Sequence, residues 1–203
     1  KELGVSVVLG PGINIKRSPL CGRNFEYYSE DPFLAGELAV AYIHSMQKSG
    51  VGTSLKHFAG NNQETHRMTS NSMIDERALH EIYLAAFEQA VKRARPATVM
   101  AGYNYLNGVP ACENRELLTD ILRGKWGYEG LVMSDWGACV DLPACIKAGM
   151  DVEMPDSSGN HFKDLSNAIK TGKLLVSKLA EAVQRIKELE ETYGREQRIG
   201  KRL

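Results

Sequence analysis

An α/β fold with a parallel sheet is predicted by three features of this 203-residue sequence. Short β-branched runs alternate with amphipathic helical stretches, the pattern of strand-then-helix units with helices outside the sheet. About five such units are present, whereas a closed (β/α)8 barrel needs eight strands and typically ~250 residues. Polar and charged residues gather where the strand runs end, and α/β sheets carry their chemistry at those carboxyl ends. The unit count leaves two architectures: a small open sheet, or a barrel lacking about three strands.

The elements follow from local chemistry. Val5 to Leu9 reads as a buried parallel strand ending at Gly10-Pro11-Gly12. Asp31-Pro32 supplies an N-cap and a proline at the first helical position, and the helix runs to about Ser49, with Gly50 closing it. Thr53 to Phe58 is the second strand. A polar loop leads to a helix capped by Asp75, whose Leu79, Ile82, Tyr83, Ala86, Phe87 and Ala90 keep helical spacing. Ala97 to Tyr103 is the third strand. Asn114 caps a helix with Leu117, Leu118, Ile121 and Leu122 on one face. Gly130 to Trp136 is the fourth strand and Asp151 to Met154 a short fifth. Helices near His161–Thr171 and Ser177–Tyr193 complete the pattern. The domain reading is one partial barrel over 1–193 and a basic tail or linker over 194–203. Residues Arg195 to Leu203 hold four Lys/Arg and one Glu. The opening Lys-Glu-Leu, beside a strand, implies that the protein starts upstream.

Composition removes several function classes. Lys+Arg and Asp+Glu both number 25, so the formal net charge is zero. Such a chain has no electrostatic footprint for nucleic acid or an anionic membrane, and neither is expected as a partner. No apolar run reaches the ~18 residues of a membrane span. Cys21, Cys112, Cys139 and Cys145 form no C-x-x-C pair and no zinc spacing, so no metal is expected. Four apparently free thiols favour a reducing, cytoplasmic compartment.

The strand ends suit a sugar. The loop after the first strand carries Arg17, Arg23, Asn24 and Glu26. The second strand ends in Lys56-His57, followed by Asn61, Glu64 and Arg67. The third ends in Met100, Tyr103 and Asn104, and the fourth in Ser134-Asp135-Trp136. Charged groups grip hydroxyls through charge-assisted hydrogen bonds, and Trp136 or Tyr103 offers a face to the sugar's C–H side. Glycosidic cleavage needs two carboxyl groups. Asp135 is a candidate for the first, with Arg23, Lys56 or Arg67 nearby to favour its charged form. Plainer roles compete. Asp135 also fits a cap for the following helix, Lys56-His57 a merely structural pair, and Glu153 a carboxylate paired with an arginine. Lys56 at a strand end also fits a Schiff-base lyase, which borohydride trapping would reveal.

The stretches 10–36 (GPGINIKRSPLCGRNFEYYSEDPFLAG), 55–67 (LKHFAGNNQETHR), 99–110 (VMAGYNYLNGVP), 117–138 (LLTDILRGKWGYEGLVMSDWGA) and 148–155 (AGMDVEMP) occur in one order. Together they resemble glycoside hydrolase family 3, in its β-glucosidase-like branch. The resemblance spans about residues 4 to 190. It implies a partial (β/α)8 barrel lacking its first strands, and hydrolysis of terminal non-reducing β-D-glycosides with retention. Asp135 would be the nucleophile. Arg23, Lys56, His57 and Arg67 would surround the terminal sugar, with Met100, Tyr103 and Trp136 lining the same subsite. No metal or organic cofactor is implied. The substrate would be a β-linked oligosaccharide or an aryl or alkyl glycoside. The loop at 56–62 reads Lys-His-Phe-Ala-Gly-Asn-Asn, unlike the K-H-F-P-G-H-G loop of the N-acetylglucosaminidase branch, so His66 is not expected to be the acid. The acid/base glutamate is expected on a second domain which, with the missing barrel strands, is the implied partner of this chain. The alternative is an inactive fragment that binds sugar or a partner domain without turnover.

Overall fold

The structure is a computed structural model and describes residues 3–194; residues 195–203 of the expected basic tail lie outside the described residues. Along the chain the strands are β1 (Val7–Val8), β2 (Gly52–Phe58), β3 (Asn71–Ser72), β4 (Thr98–Ala101), β5 (Tyr105–Leu106), β6 (Val109–Pro110), β7 (Leu131–Trp136) and β8 (Val152–Met154). Five of them form a parallel sheet in the order β1-β2-β4-β7-β8. Each new parallel strand adds to the same edge. A doubly wound sheet would reverse direction at a switch point; this order is that of a barrel wall. The fold is therefore α/β, a curled parallel sheet that makes up part of a (β/α)8 barrel.

The helices cap as their sequences dictate. Asp31 accepts the Phe33 amide at 2.9 Å and opens α1 (Pro32–Lys48). Asp75 accepts the Ala78 amide at 3.0 Å and opens α2 (Glu76–Ala78). That helix widens into a π-helical stretch over Leu79–Tyr83, with the Leu84 amide bonded to Leu79 carbonyl, and resumes as α3 (Ala85–Ala94). Asn114 caps the next helix through the Leu117 amide at 3.0 Å, and that helix, Glu116–Lys125, is also π-helical. Helical spacing alone predicts these segments without distinguishing their hydrogen-bond period. Three further helices follow: α4 (Leu142–Ala148), α5 (Asn160–Lys170) and α6 (Val176–Tyr193).

Strand alternation divides the apolar residues between two layers. Val99, Ala101 and Val132 face the helices, where Phe58, Phe87 and Trp126 stack with ring centroids 5.2 and 5.7 Å apart. Met100, Leu131 and Met133 face the other side, covered by Val152, Met154 and, from α6, Ile186 and Leu189. Asp135 is in step with Leu131 and Met133, so it emerges at the end of this second face.

Three sequence expectations need correction. The first strand is an edge with a single neighbour, so Val7 and Val8 are only half-buried and Leu9 is exposed. Asp135 does not cap a helix; Asp141 does, accepting the Ala144 amide at 3.0 Å to open α4, a helix the periodicity did not single out. The loops after β2 and β4 pair as a small sheet of order β3-β5-β6. Its hairpin turns on Asn107 and Gly108, both with positive φ, the Asn-Gly signal of a two-residue turn.

Asp151, at the start of β8, ties the layers together. Its buried carboxylate accepts from Arg123 at 2.7 Å, from the Val132 amide at 2.8 Å and from Arg185 of α6 at 2.8 Å. Burial pushes its carboxyl up, against the pull of Arg123 and the other donors. Removing it takes the carboxylate from two guanidinium groups, leaving Arg123 with the Gly149, Tyr128 and Gly130 carbonyls and Arg185 with Glu181 at 3.7 Å, so Asp151→Ala is expected to cost about 3–5 kcal/mol. Denaturant unfolding measures this; a loss within the ±0.5 kcal/mol typical of surface changes would contradict the assigned role.

Candidate active site

The end of β2 is fixed from two sides. Asn14 donates to the His57 carbonyl at 2.9 Å and accepts the His57 amide at 2.8 Å. The Tyr27 hydroxyl lies 3.3 Å from Nδ1 of His57, with the rings edge to face. The imidazole is almost wholly buried. Burial first, then the charges of Arg23, Lys56 and Arg67, pushes its pKa down to about 2. His57 is therefore neutral and contributes one N–H and one acceptor nitrogen.

Around it runs a chain of ion pairs. Lys56 Nζ meets Glu26 Oε2 at 3.0 Å, and Arg23 Nε meets Glu26 Oε1 at 2.5 Å. Arg23 also faces Glu64 Oε1 at 3.9 Å, and Arg67 Nη1 meets Glu64 Oε2 at 3.0 Å. Arg67 lies over the Tyr103 ring, 4.6 Å from its centroid. Burial opposes the charge on Arg23, but Tyr27, Glu26 and Glu64 outweigh it and hold its pKa above the ordinary value. Three cations thus share two carboxylates, and their charges act on the buried His57.

Asp135 is buried at the end of β7. Its Oδ1 accepts the Trp136 amide at 2.7 Å. Its Oδ2 lies 3.5 Å from Nε2 of His57 and makes no hydrogen bond among the described residues. Partial burial, and then the neighbouring Asp135 carboxylate, raise the Tyr103 hydroxyl. Trp136 is 43% exposed, presenting a free ring at the rim. The other buried polar atoms without a hydrogen bond among the described residues belong to Asn24, Asn61, Asn62, Glu64 and Asn104. All follow the carboxyl ends of strands.

Arg23, Lys56, His57, Arg67, Tyr103 and Asp135 are thus brought together. Met100 differs: at 2% exposed it lies in the apolar layer with Leu131 and Met133, beneath the polar groups, and serves as floor. Glu153 pairs with His161, Nδ1 to Oε2 at 2.5 Å, and with Ser157, rather than with an arginine. Asn14 and Tyr27 went unnoticed in the sequence, because nothing local shows that they reach His57. Among the described residues the one His/Cys/carboxylate group compact enough for a metal is Cys139, Glu153 and His161, outside this cradle.

The buried neutral His57 makes stability pH-dependent. It titrates near 2 when folded and near 6.5 when unfolded. Below pH 6.5 the unfolded chain binds a proton that the folded chain refuses. Stability from this group is full above pH 6.5 and falls as pH drops toward 2, by up to about 1.4 kcal/mol per pH unit. Equilibrium unfolding between about pH 7 and pH 5 is expected to show a shallower decline for His57→Gln than for the wild type. Equal slopes would mean that His57 is protonated in the fold.

Known proteins resemble this chain in sequence and fold. The chain is 57% identical over 182 residues to thermostable beta-glucosidase B of Acetivibrio thermocellus, covering 90% of this chain and 24% of that protein. It is 58% identical over 153 residues to an exo-alpha-(1->6)-L-arabinopyranosidase of Bifidobacterium longum, covering 75% of this chain and 20% of that protein. The GH3 beta-glucosidase crystal structure from Bifidobacterium adolescentis superposes with a TM-score of 0.90 at 51% identity, over 93% of this chain and 28% of that one. Beta-glucosidase 3B from Thermotoga neapolitana, in complex with alpha-D-glucose, superposes with a TM-score of 0.88 at 46% identity, over 91% of this chain and 27% of that one. The chain spans about a quarter of the length of these relatives. Residues 1–189 match the N-terminal domain of glycosyl hydrolase family 3, and the chain belongs to that family.

Proposed function

We propose that the protein bearing this chain hydrolyses terminal non-reducing β-D-glycosides, β-glucosides first, with retention, through a covalent intermediate on Asp135. The observation that carries this reading is the Asp135 carboxylate. One oxygen is anchored by the Trp136 amide, and the other is buried and free of hydrogen bonds among the described residues. A fixed carboxylate with one uncommitted oxygen is the requirement for attack on an anomeric carbon.

Oδ2 forms the bond to the anomeric carbon as the glycosidic C–O bond breaks, and the leaving oxygen takes a proton from an acid. Water then cleaves the glycosyl ester, giving its proton to the same group. Glu26 and Glu64 are held by cations and do not fit the acid's part. That role belongs to a glutamate on the second domain implied by the resemblance. Lys56, Arg23 and Arg67 supply charged donors to hydroxyls, His57 hydrogen-bonds without adding charge, and Trp136 offers an apolar face. Lys56 is already engaged by Glu26 at 3.0 Å, which suits a donor better than a Schiff-base amine. Support for a sugar removed from the chain end comes from the relatives named beta-glucosidase and from the one named exo-arabinopyranosidase.

The test is intact-mass measurement after incubation with 2-deoxy-2-fluoro-β-D-glucosyl fluoride, whose fluoride leaves without acid help. A gain of one sugar is expected in the wild type and none in Asp135→Asn. The variant should also turn over an aryl β-glucoside at least ~10⁴-fold more slowly. A folded wild type that gains no mass would overturn the retaining glucosidase reading. Mass gain with an α-L-arabinopyranosyl analogue alone would move the sugar assignment and keep Asp135.

A further inference from the structure

We propose that Cys139, Glu153 and His161 form a binding site for a borderline divalent cation such as Zn²⁺. The Cys139 sulfur, a Glu153 carboxylate oxygen and a His161 ring nitrogen all lie within 4.8 Å of one another. Ligands about 2.0–2.3 Å from a tetrahedral metal stand roughly 3.3–3.8 Å apart, so the widest separation closes by about 1 Å while the Glu153–His161 pair, now 2.5 Å apart, opens by about as much. Side-chain rotation supplies movements of that size.

The three residues come from separate segments that the backbone already holds together. Cys139 follows β7, Glu153 lies in β8 and His161 sits in the first turn of α5. The Gly137 amide donates to the Met154 carbonyl at 2.7 Å, fastening the turn that carries Cys139 to β8. Ser157 organises the other two. Its hydroxyl donates to Glu153 Oε1 at 3.0 Å and accepts the His161 amide at 3.1 Å. Glu153 Oε2 is left facing His161 Nδ1 at 2.5 Å, where a shared proton stands in for a shared cation. Outer partners of this kind orient ligands and raise metal affinity.

The donor set selects the class of cation. A thiolate, an imidazole and a carboxylate are ligand types of three-residue zinc sites, which leave a fourth position for water. Mg²⁺ and Ca²⁺ prefer all-oxygen sites. Cys139 is 8% exposed, and its thiol donates a weak S–H bond to the Cys145 sulfur 3.6 Å away, a proton that a bound cation would displace. None of the three residues belongs to the ion-pair chain of Lys56, Arg23 and Arg67 with Glu26 and Glu64.

Cobalt titration of the reduced, chelator-stripped protein tests the site. A near-ultraviolet thiolate-to-cobalt band should saturate at one equivalent and be displaced by Zn²⁺. Cys139→Ser should abolish the band, His161→Ala should weaken Co²⁺ and Zn²⁺ by at least ~100-fold, and Cys21→Ser should change neither. No band up to about millimolar Co²⁺, or a band that survives Cys139→Ser, would overturn the proposal, leaving Glu153 and His161 as a proton-sharing pair. A band needing Cys145 but indifferent to His161 would overturn it too, by placing the metal on the paired thiols. If Cys139→Ser does not fold, His161→Ala and Glu153→Gln decide: unchanged affinity in both sinks the site.

Discussion

The mouth of the sheet depends on two carboxylates, Glu26 and Glu64, that share three cations. Lys56, Arg23 and Arg67 come from three different places in the chain, and without the acids between them their mutual repulsion would drive the loops apart. Burial makes the arrangement stricter. A partly desolvated guanidinium such as Arg23 is tolerable only with partners at hydrogen-bonding distance. The network therefore sets the loop positions, and the loop positions set what surrounds Asp135. Its surplus positive charge adds to burial in keeping His57 neutral, and His57 in turn stands 3.5 Å from the Asp135 carboxylate.

Beneath this polar layer the sheet does the positioning. Period-two alternation along β7 puts Leu131, Met133 and Asp135 on one face, so the same strand supplies the apolar floor and the buried carboxylate above it. Met100 joins the floor from β4. Asn14 fixes the backbone where β2 ends, and Asp151 anchors β8 to α6 and to the π-helix Glu116–Lys125. Function sits on strand ends because their neighbours are paired for the rest of their length, which keeps the site rigid while its loops carry the chemistry.

Much of the candidate site was legible as succession. Lys56-His57, Tyr103 and Asp135-Trp136 each end a β-branched run, and their order along the chain matches their order across the sheet. Met100 shows the limit of that reading: near the end of a strand, a residue faces polar ligand or apolar floor according to a single step in register. Glu153 shows another. Its place in a short apolar strand suggests an arginine partner, yet His161, in the first turn of the next helix, is the residue that pairs with it. The hairpin at Asn107-Gly108 carried a readable signal; the grouping of Cys139 with Glu153 and His161 carried none, because the three are close only after β8 pairs with β7.

The sequence by itself determined the α/β class, the helix starts at Asp31, Asp75 and Asn114, the strand cores and the family, since all of these rest on local periodicity, capping chemistry or residue order. Tertiary structure alone decided which acids neutralise which cations, that His57 is held neutral by its burial and by the charges of Arg23, Lys56 and Arg67, that one Asp135 oxygen has no hydrogen bond among the described residues, and that a sulfur, an imidazole and a carboxylate meet beyond β7. The physical reason is range. Caps and periodicity act over a few residues, whereas desolvation and charge pairing depend on which distant segments the sheet brings within a few ångströms.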